Sequence, residues 1–411
     1  MKVLQVNYSD INGGAAVAAY RLNHALRRHG IDSQMLVTNA LAGDWTAQPV
    51  RGAWAKPVDT LRRNFSRFPN LVYQTENRVF SSCAVLPSIW PRVLSRSDAD
   101  VINLHWIGAE MMSIADVGKL RGPLVWTLHD MWAFCGAEHY AYDFRWRDGY
   151  LKGNRPDDES GWDINRWTWL RKMKHWRKPI HIVASSQWLA DCVTQSPLMA
   201  NWPVTRIPLP IDTEVWRPIE KPLARKLLGL PSDRRIIFFG AISGIRDPIK
   251  GFDLLVDALR HLRGSLPDAE LVIVGQLPPK ELPDLGFPMH FAGRLHEDIS
   301  KCLYYSAADV VVVPSRRESF SLTCAEAHAC GTPTVAFDTT ALTNIVESQA
   351  TGYLARPFDS EDLARGIQWV LADTDRLRML SAECRRTAVE KFSYPVVARQ
   401  YESLYNSICK S

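Results

Sequence analysis

The sequence carries eight cysteines but no CxxC pair and no cysteine–histidine spacing of the kind that builds a zinc site. No apolar stretch reaches the roughly 20 residues needed to span a bilayer. The opening "MKVLQVNY" turns at once into "SDINGG" rather than running on as a signal peptide would. These absences predict a cytoplasmic chain whose eight cysteines are all reduced and structural. Neither half contains GxGxxG followed at the right distance by an acidic residue, which excludes a dinucleotide dehydrogenase. Neither sign of charge dominates: a net +5, with no zinc-finger, RNP-type or basic-zipper signature, gives no ground for a nucleic-acid partner.

What is present is a 411-residue chain with 46% hydrophobic and 23% charged residues, a composition of globular proteins and a length that suits two domains. Short apolar runs alternate with helical periodicity twice over. The first series is "KVLQVNY", "DSQMLVT", "ADVINLHW", "GPLVWTLHD" and "IHIVASS". The second begins at "RRIIFFGA" and continues through "AELVIVG", "PMHFAGR", "DVVVVPS" and "TPTVAFD". Strands separated by helices predict an α/β protein with parallel sheets. The reading is two doubly wound, Rossmann-like domains facing a central cleft, at 1–212 and 213–390. Residues 212–222, with Pro218 and Pro222, form the predicted linker. Residues 391–411 form a closing helix with apolar spacing at Val397, Tyr401, Leu404 and Tyr405, expected to cross back to the first domain.

Open parallel sheets bind ligands outside the carboxyl ends of their strands, so the strand-to-helix turns are the places to look. The first, "NYSDINGGAAVAAY", sets Gly13 and Gly14 where backbone could approach a ligand. Another strand ends in "TLHDMW", with His129 and Asp130 placed to face a cleft. In "FFGAISGIRDPIKGFDLL", Arg246 and Lys250 lie four apart before a helix, two cations suited to a diphosphate. In "PSRRESFSLTCAEAHACGTPTVAF", Glu318 lies on the turn and Glu326 inside the helix, with the N–H groups of Phe320, Ser321 and Leu322 directed to a phosphate. Carboxylates this close to an apolar strand call for a compensating ligand, such as a sugar or a ribose.

The stretch "ESFSLTCAE" with its continuation "EAHACGTPTVA" resembles the E-x7-E signature of retaining GT-B glycosyltransferases of family 4. Similar segments run through nearly the whole chain, among them "INGGAAVAAYRL", "IPLPIDTEVWRP", "DPIKGFDLLVDAL", "GRL" and "TGYLARPFDSEDLA". The subgroup it most resembles assembles bacterial exopolysaccharide and O-antigen.

The resemblance implies a hexosyltransferase, with mannose among the candidate sugars, that uses a GDP- or UDP-sugar and no metal or other cofactor. Lys250 and Arg246 would hold the donor diphosphate, Glu326 the ribose and Glu318 the transferred sugar. Gly14 and His129 would lie beside the reacting groups, and the backbone of Arg294 and Leu295 would contact the base. His129, Glu318 and Lys250 are the implied catalytic residues. Three departures stand out: Ala241 replaces the arginine many members carry, "PLPID" stands at the linker where many have Asn-Gly, and "SFS" replaces the usual glycines.

The segment "INRWTWLRKMKHWRKPIHI" interleaves basic residues and tryptophans as an interfacial helix on anionic lipid does. On that reading Arg171, Lys172, Lys174 and Trp176 meet a lipid-linked glycan acceptor or the cytoplasmic face of the inner membrane. The same pattern also fits a solvated helix whose tryptophans face the core. Two alternatives to a transferase stay open: a nucleotide-sugar epimerase, and a catalytically inert binding subunit with the same fold.

Overall fold

The computed structural model describes residues 1–50, 61–62, 64–65, 73–77, 79–241, 247–278 and 284–410. The chain divides into two compact units, Met1–Pro208 with Val397–Ser411, and Leu209–Val396.

The first unit is built on a seven-stranded sheet. Its strands are β1 (Lys2–Ser9), β2 (Asp32–Asn39), β3 (Ala47–Pro49), β5 (Val101–Leu104), β6 (Leu124–Leu128), β8 (His181–Ala184) and β9 (Val204–Arg206), in the order β3-β2-β1-β5-β6-β8-β9. A separate antiparallel pair joins β4 (Tyr73–Gln74) to β7 (Ser160–Gly161). Every pairing in the main sheet is parallel; Val3 of β1, for example, lies between Ser33 and Val101. Chain order reverses between β1 and β5, and in open α/β sheets the carboxyl ends of the strands at such a switch point are where ligands bind. The last helix, Tyr394–Lys410, joins this unit from Val397 onward and buries Val397, Tyr401 and Tyr405 completely.

The second unit has β10 (Arg235–Gly240), β11 (Ala269–Val274), β12 (Met289–Gly293), β13 (Val310–Val313), β14 (Thr334–Phe337) and β15 (Gly352–Ala355), all parallel, in the order β12-β11-β10-β13-β14-β15. With helices on both faces, the central strands are continuous apolar runs: all four valines of β13 are buried. The switch point lies between β10 and β13, paired at Ile237–Val310 and Phe238–Val311.

The segment expected to be a linker is packed structure. Ile211 N–H donates to the Phe392 carbonyl at 2.7 Å, Trp216 is fully buried, and the Arg385 guanidinium donates to the Trp216 and Thr213 carbonyls. Prolines marked the place where regular structure pauses; the tryptophan and arginine decided that it is buried. Strands β3, β9 and β15 were not anticipated, being short or bounded by prolines and glycines. Seven cysteines are buried thiols, whereas Cys409 is exposed, so the structural role expected for all eight holds for seven.

Candidate active site

In the second unit the switch point is flanked by the segments that follow β10 and β13. After β10 the chain reaches a 3₁₀ turn, Pro248–Lys250, whose entry Asp247 secures by accepting from Ile249 N–H. Gly251 follows with φ +65°, and a Cβ there would run into the Pro314 carbonyl oxygen. Only glycine permits this approach, and it lays the turn against the end of β13. Arg316 N–H donates to the Ile249 carbonyl at 2.8 Å, closing the same contact.

Two segments 68 residues apart thereby bring Lys250 Nζ to 2.9 Å from Glu318 Oε1, which also accepts from Ser315 Oγ at 2.9 Å. Burial works against the lysine's charge, but the Glu318 carboxylate outweighs it and holds the Lys250 pKa above its ordinary value. A proton-holding cation therefore stands at the carboxyl end of the central strands.

Glu318 sits on a strained turn. Ser321 has φ +86°, a region L-residues rarely adopt, and so does Thr340 at +48°, whose Oγ1 accepts Glu318 N–H at 3.1 Å. The Glu318 carbonyl in turn accepts Ala341 N–H. Ser321 caps the helix Leu322–Ala329 by accepting from Cys324 N–H, and Phe320 is anchored edge-on against Phe392. The N–H groups of Phe320, Ser321 and Leu322 have no acceptor among the described residues, as the first turn of a helix dictates. Glu326 lies one turn further, almost buried, with Tyr305 Oη donating to its Oε2 at 3.2 Å. At the end of β12, Arg294 is exposed and Leu295 half-buried. Arg246 lies outside the described residues.

In the first unit, Gly14 opens the helix Gly14–Arg28 and is exposed; a Cβ there would meet no atom within 4 Å. The turn before it is held by Asp10, fully buried, whose carboxylate accepts from the N–H groups of Ile11, Leu41 and Ala42.

His129, at the end of β6, lies with Nε2 2.9 Å from Nδ1 of His105 at the end of β5. Burial lowers the His129 pKa to about 4 and drives that of His105 well below its usual value, so both rings are neutral at pH 7. Gln5 Oε1 accepts from His105 Nε2 at 2.8 Å and from Asn103 Nδ2 at 3.0 Å. His105 therefore carries its proton on Nε2, and His129 donates from its own Nε2 to His105 Nδ1. Asn103 extends the network to Tyr405 and Thr127, and Thr127 to Tyr401, so the closing helix supports the histidine pair from beneath.

Asp130 faces another way. It accepts from Trp106 Nε1 and pairs at 2.6 Å with His139, which reaches Ser82 Oγ at 2.9 Å. This serine–histidine–aspartate array is not a nucleophile: Ser82 is fully buried and its Oγ accepts Ala109 N–H. Residues missed by the sequence reading are thus Asp10, His105, His139, Tyr305 and Thr340. Asp10 and His105, each directly after a strand, were signalled by that position alone.

The interfacial helix is corrected in part. In helix Ile164–His175, Ile164, Thr168 and Lys172 form one buried stripe, spaced by four. Lys172 is wholly buried; its Nζ donates to the carbonyls of Trp132, Cys135 and Gly136 and lies 4.1 Å from the Trp132 ring centre. Burial lowers its pKa to about 7. Trp176 is buried, donating to the Ile114 carbonyl. Arg171 donates to the Cys83 and Ala84 carbonyls and stacks on Trp167; of the four residues only Lys174 is exposed. Among the described residues no helix is long and apolar enough to cross a membrane, and no group of three or more His, Cys, Asp and Glu is placed to hold a metal ion.

Two family profiles match the chain: Glycosyltransferase Family 4 over residues 12–215, and Glycosyl transferases group 1 over residues 233–373. Curated relatives include D-inositol 3-phosphate glycosyltransferases of Stackebrandtia nassauensis, 35% identical over 44% of this chain and 43% of the relative, and of Segniliparus rotundus, 33% identical over 48% and 46%. These matches span less than half the length of either relative.

Solved structures similar over nearly the full length include a sucrose-phosphate synthase from Thermosynechococcus elongatus, with TM-score 0.68, 19% identity and 99% of both chains covered. Anabaena HepE in complex with UDP-glucose aligns at TM-score 0.66 and 16% identity, over 99% of this chain and 100% of that one. At these identities the likeness is one of fold: two Rossmann-like parallel sheets, each with its helices, as in GT-B glycosyltransferases.

Proposed function

The chain belongs to the group 1, family 4 glycosyltransferases, and from that premise we propose that it transfers a hexose, with retention, from a GDP- or UDP-sugar to a hydroxyl of a lipid-linked glycan at the cytoplasmic face of a membrane. The observation that carries this reading is the second unit's switch point, where Lys250, Glu318 and three open N–H groups converge on one strained turn. A cation and helix-terminal donors suit a diphosphate, and a carboxylate held at 2.9 Å from the cation suits the hydroxyls of the sugar beside it.

The bond between the anomeric carbon and the diphosphate oxygen breaks, and a bond to the acceptor oxygen forms on the same face. The acceptor's proton passes to the departing phosphate oxygen. Lys250 and the N–H groups of Phe320–Leu322 meet the negative charge as it grows, where such stabilisation is most effective. No protein nucleophile and no metal is needed in this route. Arg246 adds a second cation to the diphosphate, Glu326 takes the ribose, the backbone of Arg294 and Leu295 the base, and neutral His129 a hydroxyl of the transferred sugar with Gly14 giving room beside it. The lipid-linked acceptor draws support from WaaG, a structural neighbour involved in lipopolysaccharide biosynthesis.

The test is thermal stabilisation by UDP-, GDP-, TDP- and ADP-sugars without metal, for wild type and Glu326→Ala, followed by transfer to lipid-linked acceptor with the product's anomeric configuration read by NMR. A selective shift lost in Glu326→Ala, with a retained anomer, is the expected result. A folded protein that shifts with no donor points instead to the inert binding subunit. Donor conversion without acceptor points to the epimerase.

A further inference from the structure

The carboxyl ends of β1, β5 and β6 in the first unit carry a group of aromatic rings to which the donor reading gives no role. Tyr8 lies near the end of β1, Trp106 follows His105 after β5, and Asp130 follows His129 after β6. Phe80 comes from the chain between β4 and β5, and its carbonyl accepts His139 N–H at 3.0 Å. Phe80 is 49% exposed; Tyr8 and Trp106 are half-buried.

The Trp106 indole is held in place by its surroundings. The residue's backbone N–H donates to Asn7 Oδ1 at 2.8 Å, and its carbonyl accepts Tyr8 N–H at 3.0 Å. Its Nε1 donates to Asp130 Oδ2 at 2.9 Å. Tyr8 meets it edge-on with ring centres 5.7 Å apart, and Phe80 lies at 6.0 Å with its plane inclined by 37°. Gly108 packs so closely that a Cβ there would lie 2.8 Å from Trp106 Cζ2 and 3.0 Å from His139 Cε1. His139 in turn lies 5.1 Å from Phe80 and 5.3 Å from Trp106, centre to centre.

Rings at the end of a sheet are most often the rim of its core, and Tyr8 does pack against that core. The rim explains neither a half-exposed phenyl ring at the ligand-binding end of a parallel sheet nor the carboxylate beside it. The Asp130 side chain is 15% exposed. Burial works against its charge, but His139 outweighs burial and holds the carboxyl below its ordinary pKa. Among the described residues its one ion-pair partner is His139, and no lysine or arginine pairs with it. An ionised carboxylate without a cation accepts hydrogen bonds from neutral hydroxyls and repels anions. Aromatic faces beside such a carboxylate suit a sugar: the C–H groups on one face of a pyranose are slightly positive and lie on the negative face of a ring, while a hydroxyl donates to the carboxylate.

We propose that Phe80 and Trp106 form a stacking platform for a neutral hexopyranose of the acceptor glycan, one of whose hydroxyls donates to Asp130. The platform selects an acceptor sugar whose C–H groups cluster on one face and which carries no acidic group. Its role in acceptor choice rests on the transferase reading; its binding of a sugar does not.

Saturation-transfer NMR with irradiation of the aromatic protons tests it, on the full chain without donor, using the methyl glycosides of glucose, galactose, mannose, N-acetylglucosamine and glucuronic acid. A neutral glycoside is expected to receive saturation on the C–H groups of one face. Phe80→Leu, which keeps apolar bulk and removes the ring, should weaken its binding about tenfold, while Phe80→Tyr stays within about twofold of wild type. Thermal stabilisation by the nucleotide sugar should be the same in both variants as in wild type. Saturation of no glycoside, or equal saturation around the whole pyranose, overturns the platform. Undiminished binding by Phe80→Leu overturns stacking, and glucuronide binding as strong as that of the neutral sugars overturns the part given to Asp130. Displacement of the glycoside by the nucleotide sugar makes the bound hexose the donor's own and overturns the acceptor role. A folded protein that binds a glycoside on this face but is stabilised by no donor keeps the platform and loses the transferase reading.

Discussion

Replacing Lys250 by methionine keeps the length of the side chain and removes its charge, which separates two roles the residue could have. In the unliganded second unit its partner is Glu318, 2.9 Å away, with Ser315 Oγ as the carboxylate's other donor. The side chains are 31% and 12% exposed, so water screens the pair and a fully buried ion pair is the wrong comparison. Losing the cation leaves Glu318 one donor and some solvent, a cost of about 1–2 kcal/mol, or a few degrees in Tm. Stabilising a departing diphosphate is a larger demand: removal of one preorganised donor typically costs about 10²–10³ in turnover.

The variant should therefore melt only a few degrees early while initial-rate turnover, measured at saturating donor, falls at least a hundredfold. Glu318→Gln provides the complement, freeing Lys250 while preserving its stem. If Lys250→Met melts early but turns over within about threefold of wild type, Lys250 is only the counter-ion of Glu318, and the argument from the switch point fails.

Two further outcomes follow from packing and protonation. Gly251→Ala combines a φ of +65° with a collision against the Pro314 carbonyl, so urea unfolding of the second unit should show a loss of about 2 kcal/mol or more; a loss under about 0.5 kcal/mol would remove the close approach that brings Lys250 to Glu318. Acid should destabilise both units between pH 6.5 and about 4.5. In the first unit His105 and His129 stay neutral when folded but take up protons when unfolded, while Glu138, raised to about 7 by burial, binds one proton more when folded; the net is at least one proton, because burial lowers His24, His175 and His181 in the same direction. In the second unit His328, lowered to about 3 by burial, gives one proton. Each unit should then lose at least roughly 1.4 kcal/mol per pH unit as pH falls, and a flat profile in denaturant titrations at pH 6.5, 5.5 and 4.5 would contradict the neutral histidines.

The alternation of apolar runs with helical periods was enough to determine two parallel α/β sheets, because strand and helix periods are local properties of the chain. The turn bearing Glu318 and the helix bearing Glu326 were legible for the same reason: strand "DVVVVPS", cap Ser321 and terminator Gly331 lie within one short stretch. Strand order, and with it the two switch points, came only from tertiary pairing.

So did the partners that give the candidate residues their chemistry. Lys250 meets Glu318 because Gly251 lets two distant segments touch; His129 has its proton placed by His105, Gln5 and Asn103; Thr340 reaches Glu318 N–H from beyond β14. Lys172 shows the limit most plainly. A lysine among lysines reads as surface charge, and its place four residues after Thr168 on a buried stripe was the single local hint otherwise. Three carbonyls from another loop supply its hydrogen bonds, and no local pattern encodes acceptors that arrive from 36 to 40 residues away.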